Sequence, residues 1–237
     1  VAYQEQGNLN SALEAFKKSI SLKPNNTQAH NNIGNIYQDQ GSLDKAIASY
    51  QKAILIKPDY ADAYYNMGIS LHAQGKFDEA VEAYDRALSL KPDYFEAYNN
   101  KGNALKDQGK LEEAISSYKK AIALFPENAD GYTNIGVAYQ EQGNLNSALE
   151  AFKKSISLNP DNAKAYYNLG NVLKEKNKLN DAIKSYKKSL SLNPYDAESF
   201  INIGIAFREQ GKFDEAVEAY DRALSLKPDY FEAYNNK

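Results

Sequence analysis

Seven prolines recur at a constant step of 34 residues, and this period limits the folds open to the chain more than any other feature. The prolines are Pro24, Pro58, Pro92, Pro126, Pro160, Pro194 and Pro228. Twelve of the thirteen glycines keep the same step, and only Gly131 falls outside it. A fixed period of this length is typical of a solenoid, in which stacked units bury apolar surface only against their neighbours.

One repeat, residues 61–94, shows what each unit folds into. Apolar residues between Tyr64 and Leu71 recur at helical spacing and predict a first helix, which we expect to end at Gly75. A second helix follows, and Pro92 ends it because proline cannot donate to the preceding turn. The sequence therefore predicts an all-α fold built from antiparallel helix pairs.

A glycine inside the first helix needs a separate explanation. Gly68 recurs in register in six repeats, although a helical glycine costs about 0.8–1 kcal/mol relative to alanine. We expect the bare backbone to let the two helices of a repeat approach closely, with Gly68 facing the small residue twelve places on, Ala80.

The period divides the chain into one continuous array, predicted to be a single solenoid over residues 1–237. A partial repeat at 1–26 is followed by full repeats at 27–60, 61–94, 95–128, 129–162, 163–196 and 197–230, and by a partial helix at 231–237. We expect the chain to be an excerpt of a longer array, because no polar capping helix closes it. The two ends nearly complete one repeat, so we also expect chains to associate end to end.

A longer duplication lies above the repeat. Residues 1–22 are identical to 137–158, and residues 74–101 are identical to 210–237, both at an offset of four repeats. A duplication in the gene and an engineered concatenation would each produce this pattern.

Composition excludes several classes of function. The net charge of −3 argues against a nucleic-acid or anionic-membrane surface. The chain contains no cysteine, which excludes disulfides and thiolate metal sites, and it has no apolar run of membrane-spanning length. No nucleophile–base pair, phosphate-binding glycine loop or metal motif is recognisable, so we predict no cofactor and no intrinsic catalysis. Together these features favour a cytoplasmic protein.

The repeat resembles the tetratricopeptide repeat (TPR). Its characteristic residues are seen in Tyr166, Leu169, Gly170, Leu173, Ala182, Tyr186, Ser189 and Pro194. Departures are mild, for example Lys101 at an aliphatic position and Asn177 in place of the turn glycine, and asparagine tolerates a positive φ. The resemblance implies a right-handed α-solenoid, the TPR superhelix, whose first helices line a concave groove for peptides.

We number positions within a repeat from Ala61 as position one. Position six is always asparagine: Asn32, Asn66, Asn100, Asn134, Asn168, Asn202 and Asn236. Helical geometry places positions two, six, nine and thirteen on one stripe, and an amide offers both the donor and the acceptor that a peptide backbone requires. The set resembles the asparagine ladder in the TPR superhelix of O-linked N-acetylglucosamine transferases. The alternative is that these asparagines only satisfy local backbone groups.

Position nine alternates between asparagine (Asn35, Asn103, Asn171) and an aliphatic residue (Ile69, Val137, Ile205). The alternation is either a register device for a ligand or a trace of the duplication. Position thirteen is mostly acidic (Glu5, Asp39, Asp107, Glu141, Glu175, Glu209), which favours neutral or basic peptides, although we expect Lys110 to neutralise Asp107. Position five carries no basic residue, so a clamp for acidic peptide C-termini is excluded.

These features predict a protein-interaction scaffold that binds extended peptides along its first helices. Two alternatives remain open: the substrate-recruiting arm of a larger enzyme such as a glycosyltransferase, and a structural spacer that stacks end to end.

Overall fold

The computed structural model describes residues 2–237, with side chains described from Leu9 onward. The chain forms two compact units, Val1–Leu124 and Phe125–Lys237. The first unit holds α1 (Ala2–Leu22), α2 (Thr27–Asp39), α3 (Leu43–Ile56), α4 (Ala61–Ala73), α5 (Phe77–Leu90), α6 (Phe95–Asp107) and α7 (Leu111–Leu124). The second holds α8 (Ala129–Glu141), α9 (Leu145–Leu158), α10 (Ala163–Glu175), α11 (Leu179–Leu192), α12 (Ala197–Glu209), α13 (Phe213–Leu226) and α14 (Phe231–Asn236).

Each full repeat forms one helix pair, and no strand occurs in residues 2–237. Within each unit, consecutive helices pack together, and first helices of neighbouring repeats also touch, as α4 does with α2 and α6. This arrangement is an all-α solenoid of helix pairs, as predicted. Nowhere in the described chain is a helix both long and apolar enough to cross a membrane.

The turns between paired helices confirm the predicted role of the second glycine. Gly41, Gly75, Gly109, Gly143 and Gly211 all have φ between 71° and 78°. Asn177 takes the same place with φ 55°. Glycine reaches this left-handed region without a Cβ penalty, and asparagine tolerates it better than most residues.

The partner predicted for the glycine inside the first helix is wrong. A Cβ added at Gly68 would lie 2.6 Å from Cε1 of Tyr84, sixteen residues on, and the other five helical glycines meet the corresponding aromatic ring. Ala80 is fully buried, but the three atoms nearest to that added Cβ all belong to Tyr84. The glycine is therefore required because the ring of the second helix lies directly against the backbone of the first.

The two identical 22-residue segments fold differently. Residues 137–158 form the end of α8, a turn at Gly143 and α9, whereas α1 runs without interruption through Gly7. The turn expected at Gly7 is thus absent. In α1 the helix continues through Gly7 in place of that turn.

Candidate binding surface

In the first unit, the position-six asparagines bridge neighbouring first helices. Asn66 Nδ2 on α4 donates to Asn31 Oδ1 and Asn35 Oδ1 on α2, at 3.2 Å each. Asn100 Nδ2 on α6 donates to the Tyr65 hydroxyl on α4 at 3.0 Å. These bonds tie each first helix to the one before it.

In the second unit the same bridge recurs, with a further contact. Asn202 Nδ2 on α12 donates to the Tyr167 hydroxyl on α10 at 3.2 Å. Asn202 also accepts a hydrogen bond at Oδ1 from Lys174 Nζ at 2.6 Å. Burial lowers the pKa of the Lys174 ammonium, which Glu209 and Glu175 partly offset. Both ends of the Asn202 amide are therefore engaged.

The remaining position-six asparagines differ in exposure. Asn32 and Asn134 are half-buried, whereas Asn168 is buried and its Nδ2 has no partner among the described residues. Asn236 is held at Oδ1 by Arg208 Nη1 at 2.9 Å, and its Nδ2 donates to the Glu232 carbonyl at 2.7 Å. The row is thus not uniform.

Asn66 and Asn100 are members of the row that donate to a neighbouring helix and still keep an unused acceptor. Asn66 and Asn100 are half-buried, and within the described part of the chain neither Oδ1 atom accepts a hydrogen bond. An amide oxygen that water reaches can exchange that water for a ligand N–H at little cost. These two oxygens lie on neighbouring helices, α4 and α6.

The position-nine asparagines have a role inside each repeat. The hydroxyls of Tyr50, Tyr118 and Tyr186 donate to Oδ1 of Asn35, Asn103 and Asn171 respectively, at 2.8 Å in all three pairs. Each tyrosine is fully buried, so the bond satisfies a hydroxyl that water does not reach. These asparagines therefore join the two helices of their own repeat.

The ion-pair partner of Asp107, at position thirteen, differs from the one expected. Asp107 pairs with Lys106 at 2.7 Å and with His72 Nε2 at 2.8 Å, not with Lys110. Lys110 instead lies 3.6 Å from Asp78, because it follows the turn and faces the preceding second helix. Glu5 lies outside the described side chains.

A pocket of about 310 Å³ opens among the first helices of the second unit. Its walls include Tyr167, Tyr230, Glu198 and Glu232, and the buried Ile201 lies behind them. The Tyr167 hydroxyl donates to Glu198 Oε2 at 3.2 Å. Burial raises the pKa of the Tyr230 hydroxyl, and the carboxylates of Glu198 and Glu232 raise it further.

Position five is the functional position that the sequence analysis did not anticipate. The sequence suggested position five only as a place for a basic clamp. In the structure, the hydroxyls of Tyr65 and Tyr167 at this position each accept a hydrogen bond from the position-six asparagine of the next repeat. The available signal was the size of these residues, since a tyrosine at a half-exposed helical position reaches the next helix. In the described part of the chain, no cluster of three or more His, Asp or Glu side chains forms a metal site.

Family models match most of the chain. Residues 60–235 match the family described as the cilia and flagella-associated protein 70 C-terminal domain, and residues 2–41 and 34–75 match the TPR repeat. Comparison with curated protein sequences gives no match.

Solved structures give the same assignment. MamA is 31% identical, with 68% of this chain and 95% of that chain covered and a TM-score of 0.64. YrrB, described as a TPR protein with an unusual peptide-binding site, is 25% identical, with 78% and 96% covered and a TM-score of 0.64. PilW, a type IV pilus biogenesis factor, is 22% identical, with 88% and 97% covered and a TM-score of 0.81, and supports the fold alone. The chain therefore belongs to the tetratricopeptide repeat proteins, within the family described as the C-terminal domain of cilia and flagella-associated protein 70.

Proposed function

We propose that this chain is a protein-interaction scaffold that binds extended peptide segments along its first helices, with position-six asparagines as acceptors for the peptide backbone. The observation that carries the proposal is the pair of unused Oδ1 atoms on Asn66 and Asn100. Similarity to YrrB, whose description includes a peptide-binding site, supports the same class of ligand.

The spacing of the two acceptors suits an extended peptide. Packed helices lie about 8–10 Å apart, and a polyproline II segment repeats its face every three residues, or about 9.3 Å. One peptide N–H in three would then meet an asparagine oxygen. Such contacts read the backbone, so they accept varied sequences and leave specificity to the side chains between them.

The asparagines serve the ligand without losing their structural bonds. Asn66 and Asn100 donate through Nδ2 to the preceding helix, and this bond holds each amide in a fixed orientation. An acceptor that is already ordered loses little side-chain entropy when the peptide binds. The remaining predicted ladder positions, Asn32, Asn134, Asn168 and Asn202, and the position-nine set Asn35, Asn103 and Asn171, belong to the proposal as supporting residues that orient the surface.

The test compares two asparagines from the duplicated segment. Asn100 and Asn236 occupy the same place in identical 28-residue copies, but Asn236 Oδ1 is held by Arg208. We expect Asn66→Ala with Asn100→Ala to weaken binding of a polyproline II peptide by about 2 kcal/mol, roughly thirtyfold, measured by fluorescence anisotropy.

Asn236→Ala is the matched control and should change the affinity less than about twofold, because its oxygen is already occupied. Thermal melts of all variants separate loss of binding from loss of folding. Unchanged affinity in the folded double variant would contradict the proposal. We assign no catalytic step to this chain, and turnover of a substrate by the purified protein would contradict that part.

End-to-end association of chains is a second candidate function. The observation that favours it is the exposure of Phe231 and Tyr234 on α14, at 71% and 60%. Sedimentation velocity over a range of concentrations tests it: growth in mass that Phe231→Ser abolishes would support association, and a monomer throughout would contradict it.

A further inference from the structure

The pocket between Tyr167 and Tyr230 has a composition that selects a particular ligand. It is a mainly polar pocket that combines two tyrosines with the carboxylates of Glu198 and Glu232, while Ile201 is only 4% exposed at its wall. Its volume of about 310 Å³ equals roughly ten water molecules at about 30 Å³ each, enough for one long side chain. Both carboxylates are exposed, so an incoming cation meets them without first breaking a buried ion pair.

We propose that this pocket binds a basic side chain, lysine or arginine, of a peptide that lies along the first helices. This inference rests on the proposed peptide-binding function and names the side chain that the second unit selects. Lysine and arginine have long flexible stems, so the charged head can reach acceptors inside the pocket while the peptide backbone stays on the first helices. The head then lies between aromatic rings and carboxylates, which attract cations through the ring quadrupole and through charge.

The tyrosine rings already show this chemistry. Lys227 Nζ lies 4.4 Å from the centroid of the Tyr230 ring, so an ammonium occupies one face of that ring. The hydroxyl of Tyr167 is oriented by its bonds to Asn202 and Glu198, which fixes the ring at the wall of the pocket. The other nearby cation, Lys174, is tied to Asn202 Oδ1 and does not line the pocket.

The corresponding place in the first unit is filled. There the ring of Tyr94 lies 4.7 Å, centroid to centroid, from Tyr65, the counterpart of Tyr167. The second unit carries Asp196 at the register position of Tyr94, and its carboxylate accepts from the Glu198 backbone N–H at 3.2 Å. Asp196 provides no ring to lie against Tyr167, and Ile201 and Tyr230 occupy the register positions that hold Asn99 and Asn128 three repeats earlier. The two places therefore differ at several positions.

The test uses the full chain and labelled peptides of the form Ala-Pro-Ala-X-Ala-Pro, with X as lysine, leucine or glutamate. We expect the lysine peptide to bind about tenfold more tightly than the leucine peptide, and the glutamate peptide most weakly, as for two partly exposed ion pairs. In Glu198→Gln with Glu232→Gln, the lysine advantage should fall below about twofold while affinity for the leucine peptide stays unchanged.

Glu96→Gln is the matched control. Glu96 has the same place in residues 74–101 that Glu232 has in the identical segment 210–237, and it lies near the Tyr65–Tyr94 contact. This control variant should keep the preference for lysine. Equal binding of the lysine and leucine peptides, or an unchanged preference in the double variant, would overturn this inference and leave the scaffold proposal standing. If no peptide of the panel binds, the scaffold proposal fails and this inference fails with it.

Discussion

The repeats of this solenoid are of two kinds, which differ in how the central aromatic of the second helix is satisfied. In repeats 27–60, 95–128 and 163–196 a tyrosine hydroxyl donates to a position-nine asparagine. In the other three full repeats position nine is Ile69, Val137 or Ile205 and offers no acceptor.

In the second kind of repeat the central aromatic has no asparagine acceptor, and the consequence differs between repeats. Repeat 129–162 pairs Val137 with Phe152, which has no hydroxyl to satisfy. Repeat 197–230 pairs Ile205 with Tyr220, whose buried hydroxyl has no partner among the described residues. Repeat 61–94 likewise has Ile69 with Tyr84, so only the Val137–Phe152 repeat removes the need for an acceptor and the ring alone does not account for the alternation.

The largest expected effect comes from the contact that both kinds of repeat share, between the helical glycine and the aromatic ring. Gly102→Ala and Gly136→Ala would each place a Cβ within 2.7 Å of ring carbon Cε1, of Tyr118 and Phe152 respectively. We expect a loss of about 1–3 kcal/mol of unfolding free energy in both, measured by urea denaturation, since overpacking outweighs the gain in helix propensity. Combining Gly136→Ala with Phe152→Leu should recover part of the loss. Full stability of both alanine variants would contradict the packing described.

The next effect separates the two kinds of repeat. Asn171→Val leaves the fully buried hydroxyl of Tyr186 without its acceptor and should cost about 1–3 kcal/mol. Adding Tyr186→Phe, which copies the Val137–Phe152 pair, should restore most of the stability in thermal melts. If the double variant is no more stable than Asn171→Val, the lost hydrogen bond between Tyr186 and Asn171 is not the cause of the destabilisation.

A smaller effect of opposite sign is expected in the repeat with an unpaired hydroxyl. Tyr220→Phe removes a buried polar group that has no partner and should stabilise the chain by about 1 kcal/mol. The same change at Tyr186 removes a hydrogen bond at 2.8 Å and should destabilise by a similar amount. Differential scanning calorimetry of the two variants gives the comparison, and equal signs would refute it.

The smallest effect concerns the hydrogen bond between His72 and Asp107, which joins a repeat of one kind, 61–94, to a repeat of the other, 95–128. Burial raises the pKa of the Asp107 carboxyl, but hydrogen bonds from Lys106 and His72 outweigh it and bring the pKa below its ordinary value. The carboxylate therefore stabilises the fold above its unfolded pKa of about 3.9, and the stabilisation is lost as the pH falls through the lower folded value. Asp107→Asn should cost a few tenths of a kcal/mol at pH 6 and nothing at pH 2. A cost that persists at pH 2 would exclude this origin.

The period predicted the helix pairs and turns of the full repeats, but not the continuous helix through Gly7. Gly75 and Asn177 adopt the positive φ that their register requires. The period could not identify the neighbour of Gly68, because residues twelve and sixteen places on both lie on the inner face of the second helix. Only the packed structure shows that the ring of Tyr84, not Ala80, fills the space.

Identical sequence does not guarantee identical structure in this chain. Residues 1–22 and 137–158 share every residue, yet α1 is continuous and the second copy bends at Gly143. In the second copy the residues before the bend belong to α8 (Ala129–Glu141), and those after it form α9. The pocket beside Tyr167 was equally beyond sequence reasoning, because its lining comes from three separate segments of the chain.

The account depends most on the two acceptor oxygens of Asn66 and Asn100. The most direct measurement is a titration of the ¹⁵N-labelled chain with a polyproline II peptide, followed through the assigned side-chain amide signals of asparagine. The account predicts saturable shifts at Asn66 and Asn100, with the signal of Asn236 unchanged. Saturable binding that leaves Asn66 and Asn100 unmoved, or that shifts only residues of the second helices, would contradict it.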